Sequence, residues 1–309
     1  MLHFFRELHQ YKQARYTSVF KTWYLFTAAL MMGLLVSLNY YAMPGIGMFG
    51  LRGIQRFFGT YFLYLLPFAA AFLIQHFFYP NTSYLKSKWL WLVIILSPAV
   101  FSFRINFNFY GFFIDDVFTN REQRYWYYIF NRLLKIITLL LPVSLFWLVK
   151  DFKEEPLYGC KGKFNWQPYC LLILLMLPAV AVASMHPSFL QTYPAAYHAI
   201  DRDLSNPSWY WMLYEACYAL DFLSIEYFFR GLLVIALIKI CGLHAIVPAA
   251  CFYCCIHFGK PMPEAIGSFF GALLLGVISY HTRSIWPGLM VHIGVAATIE
   301  LLSYQQHLQ

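Results

Sequence analysis

The sequence predicts an all-α membrane protein, a polytopic bundle of about eight or nine transmembrane helices. Three observations carry this. Of 309 residues, 61% are hydrophobic and 12% charged, with a mean hydropathy of +0.56. Several apolar runs reach the roughly 18 residues that a spanning helix needs. Aromatic residues make up 21%, and Trp and Tyr gather at the ends of the runs, as at a bilayer interface.

The first run, 22–42, follows a polar, basic stretch (Arg6, Lys12, Arg15, Lys21) and is long enough to remain as an anchor rather than a cleaved signal. Runs at 57–79, 125–149 and 168–185 read as ordinary spans. The run at 89–103 is short and ends in Arg104-Ile105-Asn106-Phe107-Asn108, which suits a re-entrant or interfacial segment. The run 208–240 opens after Asn206-Pro207, an N-cap followed by Pro in the first turn, and reaches Cys241-Gly242. At ~1.5 Å per residue it extends about 50 Å, so it must be broken or steeply tilted. Runs at 243–258, 264–281 and 285–304 complete the bundle.

The formal charge of +8 resides in short loops, where it orients the chain against anionic lipid; nucleic acid is not an expected partner. Placing Lys86, Lys88, Lys150, Lys153, Lys161 and Lys163 in the cytoplasm puts the N-terminus inside, in a multi-pass protein of the bacterial inner membrane. Six of the seven cysteines (Cys170, Cys217, Cys241, Cys251, Cys254, Cys255) fall in spans as small buried hydrophobes, with Cys160 in a polar loop, so no disulfide framework is expected. The polar stretch 150–167 is the natural boundary. It separates residues 1–167, plain lipid-facing helices without diagnostic motifs, from 168–309, where the ionisable residues concentrate.

Chemistry concentrates in three helices of that second part. Glu226 and Arg230 are one turn apart inside an apolar stretch, and a charge at the bilayer centre costs roughly 2.5–3.5 kcal/mol unless paired or used. Tyr253 and His257 share the same i, i+4 spacing on the next helix, and His292 stands two turns into the last one. Each taken singly reads as a structural ion pair or a packing histidine; three helices with one ionisable group each point to a site. Gly267 and Gly271, with Gly276 beyond, are spaced to draw the histidine-bearing helices together. Glu226, His257 and His292 also form a two-His, one-carboxylate set of the kind that binds zinc. Cys251, Cys254 and His257 drift about 60° per step around their helix and are read as packing residues instead.

The order and spacing of these residues resemble the CPBP intramembrane proteases, which include the CAAX prenyl proteases and the Abi-type immunity proteins. That family carries EExxxR, FxxxH and HxxxN on successive helices. Here the motifs read Ile225-Glu226-Tyr227-Phe228-Phe229-Arg230, Tyr253-Cys254-Cys255-Ile256-His257 and His292-Ile293-Gly294-Val295-Ala296. Ser284-Ile285-Trp286-Pro287-Gly288 resembles the family's entry to its last motif. The resemblance covers about 205–305 and implies a CPBP-like core in the C-terminal half. It also implies an endopeptidase that hydrolyses membrane-associated proteins or peptides with activated water. The catalytic residues implied are Glu226, His257 and His292, supported by Arg230 and Tyr253, with His257 and Glu226 activating water and His292 polarising the carbonyl.

Two positions depart from the pattern. Ile225 replaces the leading Glu, the family's water-activating base, and Ala296 replaces the last Asn or Asp. Glu226 lies about 100° around the helix from position 225 and takes over only if the helix is distorted. Asp221, one turn before Ile225, is the other carboxylate on that face. A catalytically degenerate member that binds membrane peptides or partners is therefore the alternative expectation, and a transporter or proton pathway is a third.

Overall fold

The structure, a computed structural model, describes residues 20–42, 50–107, 110–200 and 207–307. The basic residues Arg6, Lys12 and Arg15, the N-cap at Asn206 and Asn108 lie outside the described residues. Every regular element among the described residues is helical. In chain order these are α1 (Thr22–Ser37), α2 (Gly53–Phe78), α3 (Lys88–Asn106), the short α4 (Gly111–Val117), α5 (Asn120–Lys150), α6 (Gln167–Ser184) and the one-turn α7 (Pro187–Leu190). Then come α8 (Pro207–Glu226), α9 (Ile238–Cys241), α10 (Ile246–Cys255), α11 (Met262–Thr282) and α12 (Trp286–His307). Among the described residues, eight helical stretches are long and apolar enough to cross a membrane.

One stretch is unlike the rest. Ser208–Cys255 is 48 residues long and its most apolar 18-residue window is 72% buried within the protein, whereas α5 buries 11% of its apolar window and presents Ile137, Leu141 and Leu145 outward. From Ser224 to Cys255 the chain is largely buried, an axis around which other helices stand, while Trp209, Met212 and Leu220 earlier on α8 are exposed. The expected break is present: α8 passes directly into a π-helix at Tyr227–Ile235, and the path then turns at Gly242, whose φ of +57° suits a residue without a Cβ. The run ending at Arg104 forms a 19-residue helix rather than a stub, because Arg104 is drawn inward by a partner.

The upstream helices are not plain lipid-facing spans. Tyr24, Phe68, Phe72 and Phe101 of α1–α3 share one core cluster with Phe228, Phe229 and Phe252 of the buried axis. Gln75 of α2, fully buried, donates through Nε2 to the His244 carbonyl (2.8 Å) and to Tyr24 Oη (2.9 Å). A buried amide is retained only when it is hydrogen-bonded, so these contacts fix α1 and α2 against the turn that leads into α10.

The glycine expectation is half right. A Cβ on Gly267 or Gly271 would meet open space, so this pair draws no helix in. Gly276 does pack closely, with Ile246 of α10 filling the space of its missing side chain.

Candidate active site

Glu226 closes the last turn of α8, and its residue is fully buried. The α-to-π change begins at the next residue, Tyr227. Oε1 lies 3.2 Å from His292 Nδ1, and Oε2 lies 3.3 Å from Arg230 Nε. The Arg230 contact is an ion pair rather than a hydrogen bond, since neither Arg230 Nε nor Glu226 Oε2 has a hydrogen-bond partner among the described residues. The guanidinium instead stacks over the Tyr253 ring at 4.6 Å. Two charges in an apolar core are tolerated here because each meets the other and an aromatic or imidazole ring.

Tyr253 stands between the histidines. Its Oη is 3.3 Å from His292 Nε2, and its backbone carbonyl is 2.8 Å from His257 Nδ1. A carbonyl accepts only, so Nδ1 of His257 carries the proton and Nε2 keeps its lone pair. Phe222, one turn before Glu226, packs on His292 with ring centroids 4.2 Å apart. Glu226, Tyr253 and His292 are thus brought together in direct contact from three helices, and His257 joins through the Tyr253 backbone. The expected pairing of Glu226 with His257 is not the one that forms: Glu226 meets His292.

The two departing positions are accounted for locally. Ile225 is 7% exposed and belongs to the main apolar cluster. Asp221 is not a spare base, because Arg104 Nη2 reaches both of its oxygens (2.9 and 3.0 Å) and Ser224 Oγ donates to it as well (3.2 Å).

A possible zinc site consists of Glu226, His257 and His292. Both Glu226 oxygens face His292 and Arg230, and among the described residues no three His, Cys, Asp or Glu side chains converge as a metal-binding group. The Cys254 thiol turns to the Ala265 carbonyl, consistent with a packing role.

Several residues that hold the site carry no motif. The π-helical segment Leu38–Ala42 after α1 clasps the turn that follows His257: Asn39 Nδ2 donates to the Phe258 carbonyl (3.1 Å) and Tyr40 Oη to the Lys260 carbonyl (2.7 Å). The polar loop 151–166 does not merely divide the chain. It folds onto the entry to α12, where Trp286 Nε1 donates to the Cys160 carbonyl (2.7 Å) and Ser284 Oγ to the Gly162 carbonyl (3.2 Å). Within that loop Tyr158 donates to Asp151, and burial together with that carboxylate holds the phenol well above its ordinary pKa. Gly288, in the first turn of α12, lies so close to Glu226 that a Cβ there would overlap its Oε2. Contacts between residues as far as 220 positions apart leave no periodic trace in a sequence.

No curated protein and no solved structure matches the chain. Residues 207–298, from the start of α8 through both histidines to the middle of α12, match the family of type II CAAX prenyl endopeptidases described as Rce1-like, in agreement with the CPBP resemblance of the three motifs.

Proposed function

We propose that the protein is an intramembrane endopeptidase that hydrolyses peptide bonds of membrane-associated proteins or peptides. The observation that supports it most is the meeting of Glu226, Tyr253 and His292 from three helices beside His257, inside the stretch 207–298 that matches a prenyl endopeptidase family. His257 Nε2, with its lone pair outward, accepts a hydrogen bond from the attacking water. His292 is held through Nδ1 by the Glu226 carboxylate. It then donates from Nε2 to the oxyanion that develops on the carbonyl. Arg230 pairs with Glu226, and Tyr253 spaces the two rings. Residues 168–309 form the catalytic unit in this reading, and helices of 1–167 brace it. The chain resides in a bacterial inner membrane with its N-terminus inside.

The test is hydrolysis by the full chain in liposomes, using a farnesylated peptide that ends in a Cys-aliphatic-aliphatic-X sequence as the first substrate, since the matched family is named for that class. Glu226→Ala, His257→Ala and His292→Ala each abolish product formation; unchanged turnover in all three sinks the assignment.

A second reading is favoured by Ile225 and Ala296: the same fold binding membrane peptides or partners without cutting them. It predicts no cleavage by the natural chain and a gain of cleavage in Ile225→Glu.

A further inference from the structure

Two cations inside the bundle have no carboxylate to answer them. Arg132 and Lys135 lie one turn apart on α5 and share one face of it. Arg132 Nη2 donates to Tyr214 Oη of α8 (2.6 Å), and its guanidinium stacks over the rings of Tyr214 (4.7 Å) and Tyr218 (4.1 Å). Its Nε is buried without a hydrogen-bond partner, and neither Arg132 nor Lys135 makes an ion pair among the described residues. The acids of this region are engaged elsewhere or stand apart. Asp221 is held by Arg104 and Ser224, Glu122 by Thr119 and Tyr210, and Glu215 pairs with neither cation. A positive charge kept among apolar helices without a counter-charge marks a place where an anion is received.

A line of ring contacts runs from these cations to the histidine site. Tyr214, Tyr218, Phe222 and Glu226 recur at every fourth position and share one face of α8. Tyr218 packs on Phe222 with ring centroids 4.7 Å apart, and Phe222 packs on His292 at 4.2 Å. Arg132, Lys135, Tyr218, Phe222 and His292 are all partly exposed, whereas Tyr214, Asp221 and Glu226 beside them are buried. The strip is therefore reachable along its length, with two aromatic rings between the cations and His292. Helices α5 and α8 run in the same direction, since Tyr125 meets Tyr210 while Arg132 meets Tyr214 and Tyr218. Lys135 accordingly stands a turn nearer to Glu226 than Arg132 does. From Tyr218 to Glu226 the helix rises about 12 Å. Three residues of extended chain span about 10 Å, so a short peptide end covers nearly the same distance.

We propose that Arg132, together with Lys135, binds the C-terminal carboxylate of the peptide that is cut beside His257 and His292. This rests on the endopeptidase reading above and adds to it the recognition of the substrate's end. A peptide whose scissile carbonyl lies at His292, with three residues beyond it, lays those residues along Phe222 and Tyr218. Its carboxylate then reaches the Arg132 guanidinium. Apolar side chains suit the two rings. A free carboxylate offers two oxygens to the guanidinium donors, and the Lys135 ammonium adds a second positive charge. A chain that continues past this point offers an uncharged peptide bond instead. The two cations thereby select a bond about three residues from the end of the substrate.

The experiment places the full chain in liposomes of neutral lipid and offers two farnesylated peptides, one with a free C-terminal carboxylate and one amidated there. Binding is measured on the His257→Ala chain and cleavage on the natural chain. Arg132→Gln, Arg132→Lys and Lys135→Gln are made in both, with thermal unfolding followed in parallel. The carboxylate peptide is expected to bind and be cut about 10–10²-fold better than the amide, the usual worth of a hydrogen bond to a charged group. Arg132→Gln abolishes that preference, Arg132→Lys keeps part of it, and Lys135→Gln weakens it less. Equal treatment of the two peptides, or a preference that survives in Arg132→Gln, overturns the proposal and leaves the endopeptidase reading standing. If neither peptide is cut while the carboxylate peptide still binds better through Arg132, the endopeptidase reading fails and the carboxylate site stands. A melting temperature raised through Arg132 by anionic lipid, with both peptides bound alike, gives the cations to a lipid phosphate and overturns the proposal.

Discussion

Glu226 Oε1 lies 3.2 Å from His292 Nδ1, while Oε2 of the same carboxylate lies 3.3 Å from Arg230 Nε. One buried anion thus answers a cation on its own helix and a histidine on the last helix. It ties the two halves of the proposed catalytic unit together, and the consequences can be measured separately for stability and for turnover.

Removing the anion leaves Arg230 buried without a counter-charge. Glu226→Gln is expected to destabilise the protein by ~3–5 kcal/mol, the usual cost of breaking a buried pair from one side. Replacing both residues, Glu226→Gln with Arg230→Met, costs less than the two single changes summed. Thermal unfolding in detergent of the double-mutant cycle checks this; additive losses would show that the two side chains do not interact.

Gly288 is the close-approach residue behind that carboxylate. Gly288→Ala forces Glu226 away from His292 and is expected to cost about 1–3 kcal/mol, as overpacking does, together with most of the turnover. Gly267→Ala and Gly271→Ala, where a Cβ meets nothing, stay within ~0.5 kcal/mol of the natural chain. Melting temperatures of the three variants side by side decide it.

Arg104 and Asp221 form a buried bidentate contact between α3 and α8. Asp221→Asn leaves the guanidinium unpaired and is predicted to destabilise by ~3–5 kcal/mol. If Asp221 served instead as the base, Asp221→Asn would lower kcat without lowering the melting temperature.

Tyr40 anchors the turn after His257 through the Lys260 carbonyl. Tyr40→Phe deletes one hydrogen bond and is expected to cost about 1 kcal/mol. Amide exchange at residues 257–261 should quicken first, because the turn loses its outer clasp before the helices around it loosen. Exchange unchanged at the turn and faster in α5 would contradict the bracing role.

Helices and motifs were legible in the sequence because both are local. Apolar runs near 20 residues announce spans, and Glu226–Arg230 and Tyr253–His257 announce shared helix faces by their i, i+4 spacing. The break after α8 was legible too, since a run reaching Cys241-Gly242 is too long for one straight span. What stayed hidden depends on partners far along the chain. Arg104 ends a run that looked stunted until Asp221, 117 residues later, supplied its counter-charge. Asn39 and Tyr40 carry no motif, yet they hold the turn behind His257. The loop 151–166 reads as a boundary because it is polar, yet its carbonyls receive Trp286 and Ser284. Gly267 and Gly271 mislead in the opposite sense, since spacing alone does not say which face of a helix has a neighbour.

The claim that this site activates water for peptide hydrolysis is tested most directly by mass spectrometry of the farnesylated peptide after one turnover in oxygen-18 water. The natural chain in liposomes is predicted to release a fragment whose new carboxylate carries one oxygen-18 atom, while His257→Ala and His292→Ala release none in the same interval. An intact peptide with the natural chain, or labelled product formed equally by both histidine variants, contradicts the account.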